Sequence, residues 1–419
     1  MPLIGMPFQE TSDQEAKFNL STSQPMSDEF KLPSRGFVFW PVGTGDSSTI
    51  VIKADVVMQI DLRHLEKAAD ADDPAWPVVD ELVRLLPKKN NKPYLSLFVL
   101  THPDKDHILG FQELLRKVTI GEIWHTPRIF RDYEDELPLC EDALAFRKEV
   151  HRRRQAIIAA PNTVKAGDRV RIIGHDDILK EEKYKDFPAE RATMPGNSIK
   201  TVDDEDVSDC FNAFVHAPFK VDAGDSRNNT SLSLHVRLTD GEGVGEVLFW
   251  GDREYPTLKQ IFEVTEAHEQ KGNTQYLNWD ATLAPHHCSK KAMFWKGEGE
   301  EKESFKKDIM DFLEKYRKDG AVVIASANAD FTDEERDLPP HGKARKRYES
   351  IVDAGNFICT HEYPDEEKPE PFVLEVTTDG ISKRGASLAA GLASVVSVVE
   401  RSRGTPAPPS QQVGFGRQP

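Results

Sequence analysis

The stretch YLSLFVLTHPDKDH, residues 94–107, decides how this chain is read. Its first seven residues form an almost unbroken apolar run without alternation, the pattern of a strand covered on both faces. The run stops at Thr101. Within the next six positions His102, Asp104, Asp106 and His107 supply four side chains with nitrogen or oxygen donors. ILGFQELLRK, residues 108–117, then has the spacing of an amphipathic helix. Strand, short polar loop and helix is the order in which α/β chains present chemistry at the carboxyl end of a strand. A rigid strand behind such a loop can aim imidazoles and carboxylates at one spot, and borderline or hard divalent ions favour that mixture of donors.

Two other segments are built alike. VLFWGD (247–252) ends an apolar strand in Asp252, with Gly251 before it allowing a close backbone approach. DATLAPHHCS (280–289) ends another in His286 and His287. Either segment alone is weak, but three strand ends each bearing carboxylate or imidazole point to one shared metal site. Further out, FVFW (37–40) and STIVIKADVVMQID (48–61) are short β-rich runs broken by Gly43-Thr44-Gly45-Asp46, and AWPVVDELVRLL (75–86) has a helical period. DALAFRKEVHRRRQAI (142–157) reads as a charged helix with Arg152 to Arg154 on its surface, and VKAGDRVRIIG (164–174) as a strand pair. SLSLHVRL and VLFWGD form a hairpin about DGEGVGE. The helix YPTLKQIFEV, the strand AVVIASAN and the helix-like KARKRYESIVDAG follow. His125, His175 and His235 lie in or beside strand-like runs, where a structural role is expected, and His175 is the one that could add a ligand.

The motifs HxDxDH, GD and PHHxS, in this order and spacing, resemble the metallo-β-lactamase fold, and most of all the branch typified by the hydrolase domain of the DNA-uptake channel protein ComEC. PVGTGDSSTIVI with IDLR after it is similar to that branch's first hairpin, and NNTSLSLHV to its strand before the GD. The resemblance covers roughly residues 36–330. It implies an α+β fold, a metallo-β-lactamase-like αββα sandwich of two mixed β-sheets flanked by helices. The expected organisation is an extended arm over 1–35, a hydrolase domain over 36–380 with a charged insertion at about 125–225, and a helix-like segment with a disordered tail over 381–419.

Carried over by position, the resemblance implies two divalent metal ions, Zn or Mn. His102 and Asp104 would bind one, Asp106 with His107 the other, Asp252 both, and His287 would complete the ligands of the second ion. His286 is the alternative ligand or faces substrate, Asp46 supports a ligand histidine, and Asn229 stands where the fold usually has a further histidine. The implied chemistry is hydrolysis by a hydroxide held between the ions, with Asp106 and Asp252 catalytic. Cys288 reads as a small buried residue. A phosphodiester in DNA, RNA or a nucleotide is the expected substrate, with Lys290, Lys343 and Arg345 binding phosphate and His341 in PPHGK contacting it or donating a proton. Alternatives are a small ester, lactone or thioester as substrate, or a ligand-poor regulatory or binding subunit. A protein partner in a bacterial defence or signalling operon is conceivable, and the oligomeric state is open.

The composition narrows the field. The 419 residues carry 71 acidic and 54 basic side chains, a net charge of −17, so contact with nucleic acid has to come from a local basic patch. With 38% hydrophobic residues the chain can build a sizeable core. Cys140, Cys210, Cys288 and Cys359 are widely spaced, which excludes a disulfide scaffold and a cysteine zinc finger and suits a reducing, cytoplasmic setting. The N-terminus lacks the basic start and apolar run of a signal peptide. The weakly polar stretch 386–399 is shorter than the roughly 20 residues a bilayer requires, so no membrane association is expected.

Overall fold

The computed structural model describes residues 30–65, 75–131, 138–175, 177–220, 222, 226–332 and 337–385; most of the expected N-terminal arm and the segment from 386 onward lie outside them. Two large mixed sheets face each other. The first runs in the order Gly380–Lys383, Phe372–Thr377, Gly36–Phe39, Ser48–Lys53, Val56–Ile60, Lys92–Val99, Thr119–His125, Arg169–Ile173 and Ala192–Thr193. Pairing is antiparallel as far as Val56–Ile60 and parallel from there on. The second runs Phe357–Cys359, Arg317–Ala325, Trp279–Leu283, Gly243–Phe249, Ser233–Asp240, Phe211–Ala217 and Ser198–Ile199. Its first four strands are parallel and the remainder antiparallel.

The period-two alternation of strands assigns each face. Val247 and Phe249 point between the sheets, where they meet Phe39, Met58, Leu97 and Val99. Leu248 and Trp250 point the other way, onto Leu258, Ile261 and Phe262 of the helix Tyr255–Ala267. The helix Lys307–Tyr316 covers the same outer face with Ile309 and Leu313. On the first sheet Phe98 packs against Phe111 and Phe146, with ring centroids 5.2 and 5.9 Å apart, seating the helices Phe111–Lys117 and Glu141–Ala159. The expected αββα sandwich is therefore present. No helix among the described residues is long and apolar enough to cross a membrane.

Several local expectations are corrected. VKAGDRVRIIG contributes one strand, Arg169–Ile173, because it continues the parallel series instead of folding back on itself. The helix expected from residue 108 is two short ones, Lys105–Ile108 and Phe111–Lys117, separated by Gly110 at φ 95°. The Arg152–Arg154 run is not all surface: Arg153 and Arg154 are 1% and 6% exposed. Arg153 donates to the carbonyls of Gly121 (3.1 Å), Arg169 (3.0 Å) and Ile120 (2.9 Å), satisfying backbone that the helix would otherwise bury unpaired.

The parallel halves of both sheets place their carboxyl ends on one rim. There Ser326 Oγ donates to Gly45 O at 2.6 Å and Leu232 N–H to Thr101 O at 3.0 Å, tying loops of the two sheets together.

Candidate metal centre

Asp61, directly after the strand Val56–Ile60, is fully buried and sits at φ 54°, a left-handed conformation that Asp tolerates better than most residues. That turn aims its carboxylate at the next loop. Thr101 N–H donates to Oδ1 at 2.7 Å, and the Thr101 hydroxyl donates to Oδ2 at 2.6 Å. His107 Nδ1–H also donates to Oδ2, at 2.7 Å. Since the Thr101 hydrogen is committed to Asp61, its oxygen accepts from His102 Nδ1–H at 3.1 Å. The proton of each imidazole is thereby placed on Nδ1, leaving Nε2 of His102 and of His107 facing inward. Asp61 was overlooked in the sequence; its only signal is an acidic residue at the end of a buried strand.

The inward atoms converge on Asp252. Oδ1 of that carboxylate lies 3.1 Å from His107 Nε2 and 3.4 Å from His287 Nε2. Oδ2 lies 3.7 Å from His102 Nε2 and 3.7 Å from His286 Nε2. Asp104 Oδ2 is 3.6 Å from His102 Nε2, and Asp106 Oδ2 is 3.4 Å from His287 Nε2. Donor atoms bound at about 2.1 Å to one tetrahedral ion stand about 3.4 Å apart, so these are separations of shared ligands more than of hydrogen bonds. Asp46, His107, Asp252 and His287 each offer a ligand atom within 4.8 Å of the others. Asp46 reaches the Nδ1 side of both rings, 3.4 Å from His287 and 3.9 Å from His107, which suits a supporting group better than a ligand.

Strained and close-packed backbone delivers these groups. His286, His287 and Cys288 have φ of 50°, 52° and 65°, three consecutive left-handed residues where the sequence suggested a plain strand end. Such strain persists only where the surroundings fix it, and it clusters at functional sites. Gly251 at φ 62° lets the Asp252 loop pass Ser231, whose Oγ accepts Asp252 N–H at 3.2 Å. The neighbouring Arg253, fully buried, donates to Ser233 Oγ (2.9 Å), Ser231 O (2.7 Å) and Asp222 Oδ2 (3.2 Å).

The electrostatics ask for a cation. Burial, reinforced by His107, drives His102 down to about 3 against the pull of Asp252, so that ring is neutral. Burial also opposes charge on His107 and His287, yet Asp252 with Asp61, and Asp252 with Asp46, outweigh it and hold both imidazoles well above their usual range. Asp252 is held well below the carboxylate range by His287 and His107 despite its burial. Burial raises Asp104, with Arg227 at 2.8 Å acting against it. His102 Nε2, Asp252 Oδ1, His286 Nδ1 and His287 Nδ1 are buried without a hydrogen bond. Buried polar atoms left in that state are costly, and a divalent ion would satisfy Nε2 of His102 and Oδ1 of Asp252 directly. The residues present fit a metal.

The remaining expected residues fall elsewhere. Asn229 Oδ1 accepts from Glu254 N (3.2 Å) and Thr257 Oγ1 (3.0 Å), so it caps the following helix, and Asn228, 3.4 Å from His286 Nε2, is the asparagine beside the cluster. His341 is fully buried behind the His286–Cys288 turn, where its Nδ1 accepts Lys290 N–H at 3.2 Å and its own N–H reaches Cys288 O at 3.2 Å. Lys290 and Lys343 lie 3.6 and 3.2 Å from Glu303. Arg345 binds Glu349 (2.8 Å) and Glu362 (2.6 Å) and stacks over Phe331. Cys288 is fully buried, and burial lifts its thiol well above the usual range. His125 Nδ1 donates to Thr126 O at 2.8 Å and His235 Nε2 to Asn278 O at 3.1 Å, both within the fold, while His175 lies 3.7 Å from Glu181.

No family model matches the chain, and no curated protein matches it in sequence. Similar solved structures include a subclass B3 metallo-β-lactamase from a soil metagenome library, 10% identical over 60% of this chain and 77% of that one, with a TM-score of 0.31. A subclass B3 metallo-β-lactamase of Bradyrhizobium japonicum is 15% identical over 60% and 75%, with a TM-score of 0.26. An archaeal metallo-β-lactamase superfamily protein from Sulfolobus tokodaii is 12% identical over 76% and 97%, with a TM-score of 0.26.

Proposed function

We propose that the chain is a metal-dependent hydrolase acting on a phosphodiester. The observation that carries the hydrolase reading is the division of Asp252: one oxygen faces His107 and His287, the other His102 and His286. A carboxylate so placed can serve two cation positions at once, one completed by His102 and Asp104 and the other by Asp106, His107 and His287. Divalent ions held there would supply Lewis acidity and acidify water towards neutral pH. The protein's own contribution is preorganisation. Asp61 fixes His107 and, through Thr101, His102. Asp46 backs His287. Asn228 faces His286 at the outer side of the cluster. Asp106, whose side chain is 37% exposed against 29% for Asp104, is the more open of the two loop carboxylates and the group placed to accept a proton from an incoming molecule.

The phosphodiester reading rests on the resemblance to the ComEC-type branch. Lys290, Lys343 and Arg345 weigh against it, because glutamates neutralise them; that arrangement favours the second reading, a small ester, lactone or thioester, whose recognition needs no cationic lining. The test is turnover by zinc- or manganese-loaded protein on bis-p-nitrophenyl phosphate, single-stranded DNA, RNA and cyclic dinucleotides, beside lactones and thioesters. The double variant Asp106→Ala, His107→Ala serves as control. Phosphodiester cleavage that the double variant loses is expected. Activity confined to lactones or thioesters would replace the first reading with the second, and no metal uptake would remove both.

A further inference from the structure

A cavity of about 450 Å³ lies where the strand Phe211–Ala217 meets the helix Tyr255–Ala267 on the outer face of the second sheet. Its apolar lining includes Met194, Phe214, Phe219 and Val264, and its polar lining His175, Lys220, His268 and Lys271. Among the described residues lining it there is no carboxylate, in a chain whose net charge is −17. Lys220 pairs with Asp177, which flanks the cavity without lining it. Phe214 is buried in the wall, stacked on Tyr276 with centroids 4.0 Å apart and planes at 9°, which leaves Phe219 as the aromatic side chain open to the cavity. His216 forms part of the floor, its nitrogens engaged by Thr265 Oγ1 (3.3 Å) and Tyr276 O (2.9 Å), so the floor is neutral and rigid.

The cavity is not isolated. His175 and Phe219 also line a small cleft with Thr126, Arg128, Arg131 and Thr230, again without a carboxylate among the described residues. Thr230 lies two positions before Leu232, whose N–H binds Thr101 O beside His102. Thr230 is thus the member of the cleft nearest in the chain to the contact with the loop that carries His102.

We propose that this cavity binds a planar aromatic ring bearing an anionic group, the chemistry of a mononucleotide. The ring packs on Phe219, the part-exposed aromatic of the lining, and the phosphate meets Lys271. Packing on an aromatic side chain accepts any base, while a lysine supplies the charge-assisted contact that phosphate oxygens need. The volume is within the range of small-ligand sites. Free nucleotides and the terminal nucleotide of a longer strand share this chemistry. Binding does not rest on the hydrolase reading; only assignment of the cavity to the end of a substrate does.

Calorimetric titration of the full chain with AMP, CMP, adenosine and ribose 5-phosphate tests it. Both nucleotides should saturate, with the two half-ligands at least about tenfold weaker. K271E, at an exposed position, and M194W, which fills the cavity without removing charge, should each weaken nucleotide binding by about tenfold or more and melt like the parent chain. D252N should leave that affinity unchanged. A half-ligand binding as tightly as AMP, indifference to both variants, or loss of binding in D252N would overturn the proposal. The last would place the nucleotide at the metal cluster and leave the hydrolase reading standing. A tetranucleotide binding more tightly than AMP assigns the cavity to a strand end, and equal affinity to a free nucleotide; either result upholds it.

Discussion

Replacing Asp61 by Asn separates the charge of this residue from its backbone role, because Asn also tolerates the left-handed φ of 54°. The Asn carbonyl can still accept Thr101 N–H, but its amide then faces two former donors, the Thr101 hydroxyl and His107 Nδ1–H. The hydroxyl can rotate. The imidazole can accept from the amide only by moving its proton to Nε2, the atom that points at Asp252. Metal binding must reverse that shift and forfeit the new hydrogen bond. A hydrogen bond to a charged group contributes about 1.5–3 kcal/mol, which corresponds to a ten- to hundredfold loss of metal affinity, the size found for groups that orient metal ligands. In the metal-free chain the shifted tautomer repairs most of the damage, so the melting temperature should fall far less than metal affinity does. Competition against a chromophoric chelator for Zn²⁺, with calorimetric melting in EDTA beside it, reads both quantities. If D61N holds zinc as tightly as the parent while the metal-free protein melts well below it, Asp61 is only a structural carboxylate and the tautomer account is wrong. D61A, which adds left-handed strain of about 1–2 kcal/mol, should be worse than D61N in both measurements.

Three more outcomes can be checked. In EDTA, the raised values of His107 and His287 add stability that is complete below their ordinary 6.5 and lost as pH climbs through the raised values, while Asp106 and Asp252 add stability above 3.8 that is lost as acid protonates them. Melting temperature should therefore decline as pH rises above about 6.5 without metal, and zinc should reverse the decline because deprotonated imidazole is the ligand form; a metal-free rise with pH there contradicts the electrostatics. Gly251→Ala forces a Cβ to 2.6 Å from Ser231 Cβ at φ 62°, so a loss of about 2 kcal/mol or more in denaturant unfolding is expected, with metal affinity falling because Asp252 moves. His341→Ala removes the acceptor for Lys290 N–H and should cost about 1–3 kcal/mol of stability while leaving KM for any substrate unchanged; a raised KM with normal stability would put His341 in contact with substrate after all.

Much of the centre was legible because its candidate ligands follow apolar runs that read as strands. His102, Asp104, Asp106, His107, Asp252 and His287 are each within a few residues of such an end, and the structure brings them to one place. What escaped depends on backbone geometry or distant contacts. Asp61 matters through Thr101 and His107, forty and forty-six positions along the chain, and nothing local to IDLR announces them. The left-handed run at His286–Cys288 contains no glycine to signal it. Lys343 and Arg345 looked available for phosphate because a sequence does not show that Glu303, Glu349 and Glu362 stand beside them. Arg153 looked solvated for the same reason, its partners being carbonyls of two separate strands.

The first sheet is also joined across nearly the whole described chain: Gly36 pairs with Glu375 and Phe39 with Phe372. During synthesis the Gly36–Phe39 strand therefore emerges long before its neighbour exists, presenting an apolar, unpaired edge of the kind that recruits other strands. Contacts of such high sequence separation also slow folding. Newly made protein should thus be vulnerable to aggregation until translation has passed Thr377, and a chaperone that shields strand edges would raise its yield more than one that only prevents late unfolding.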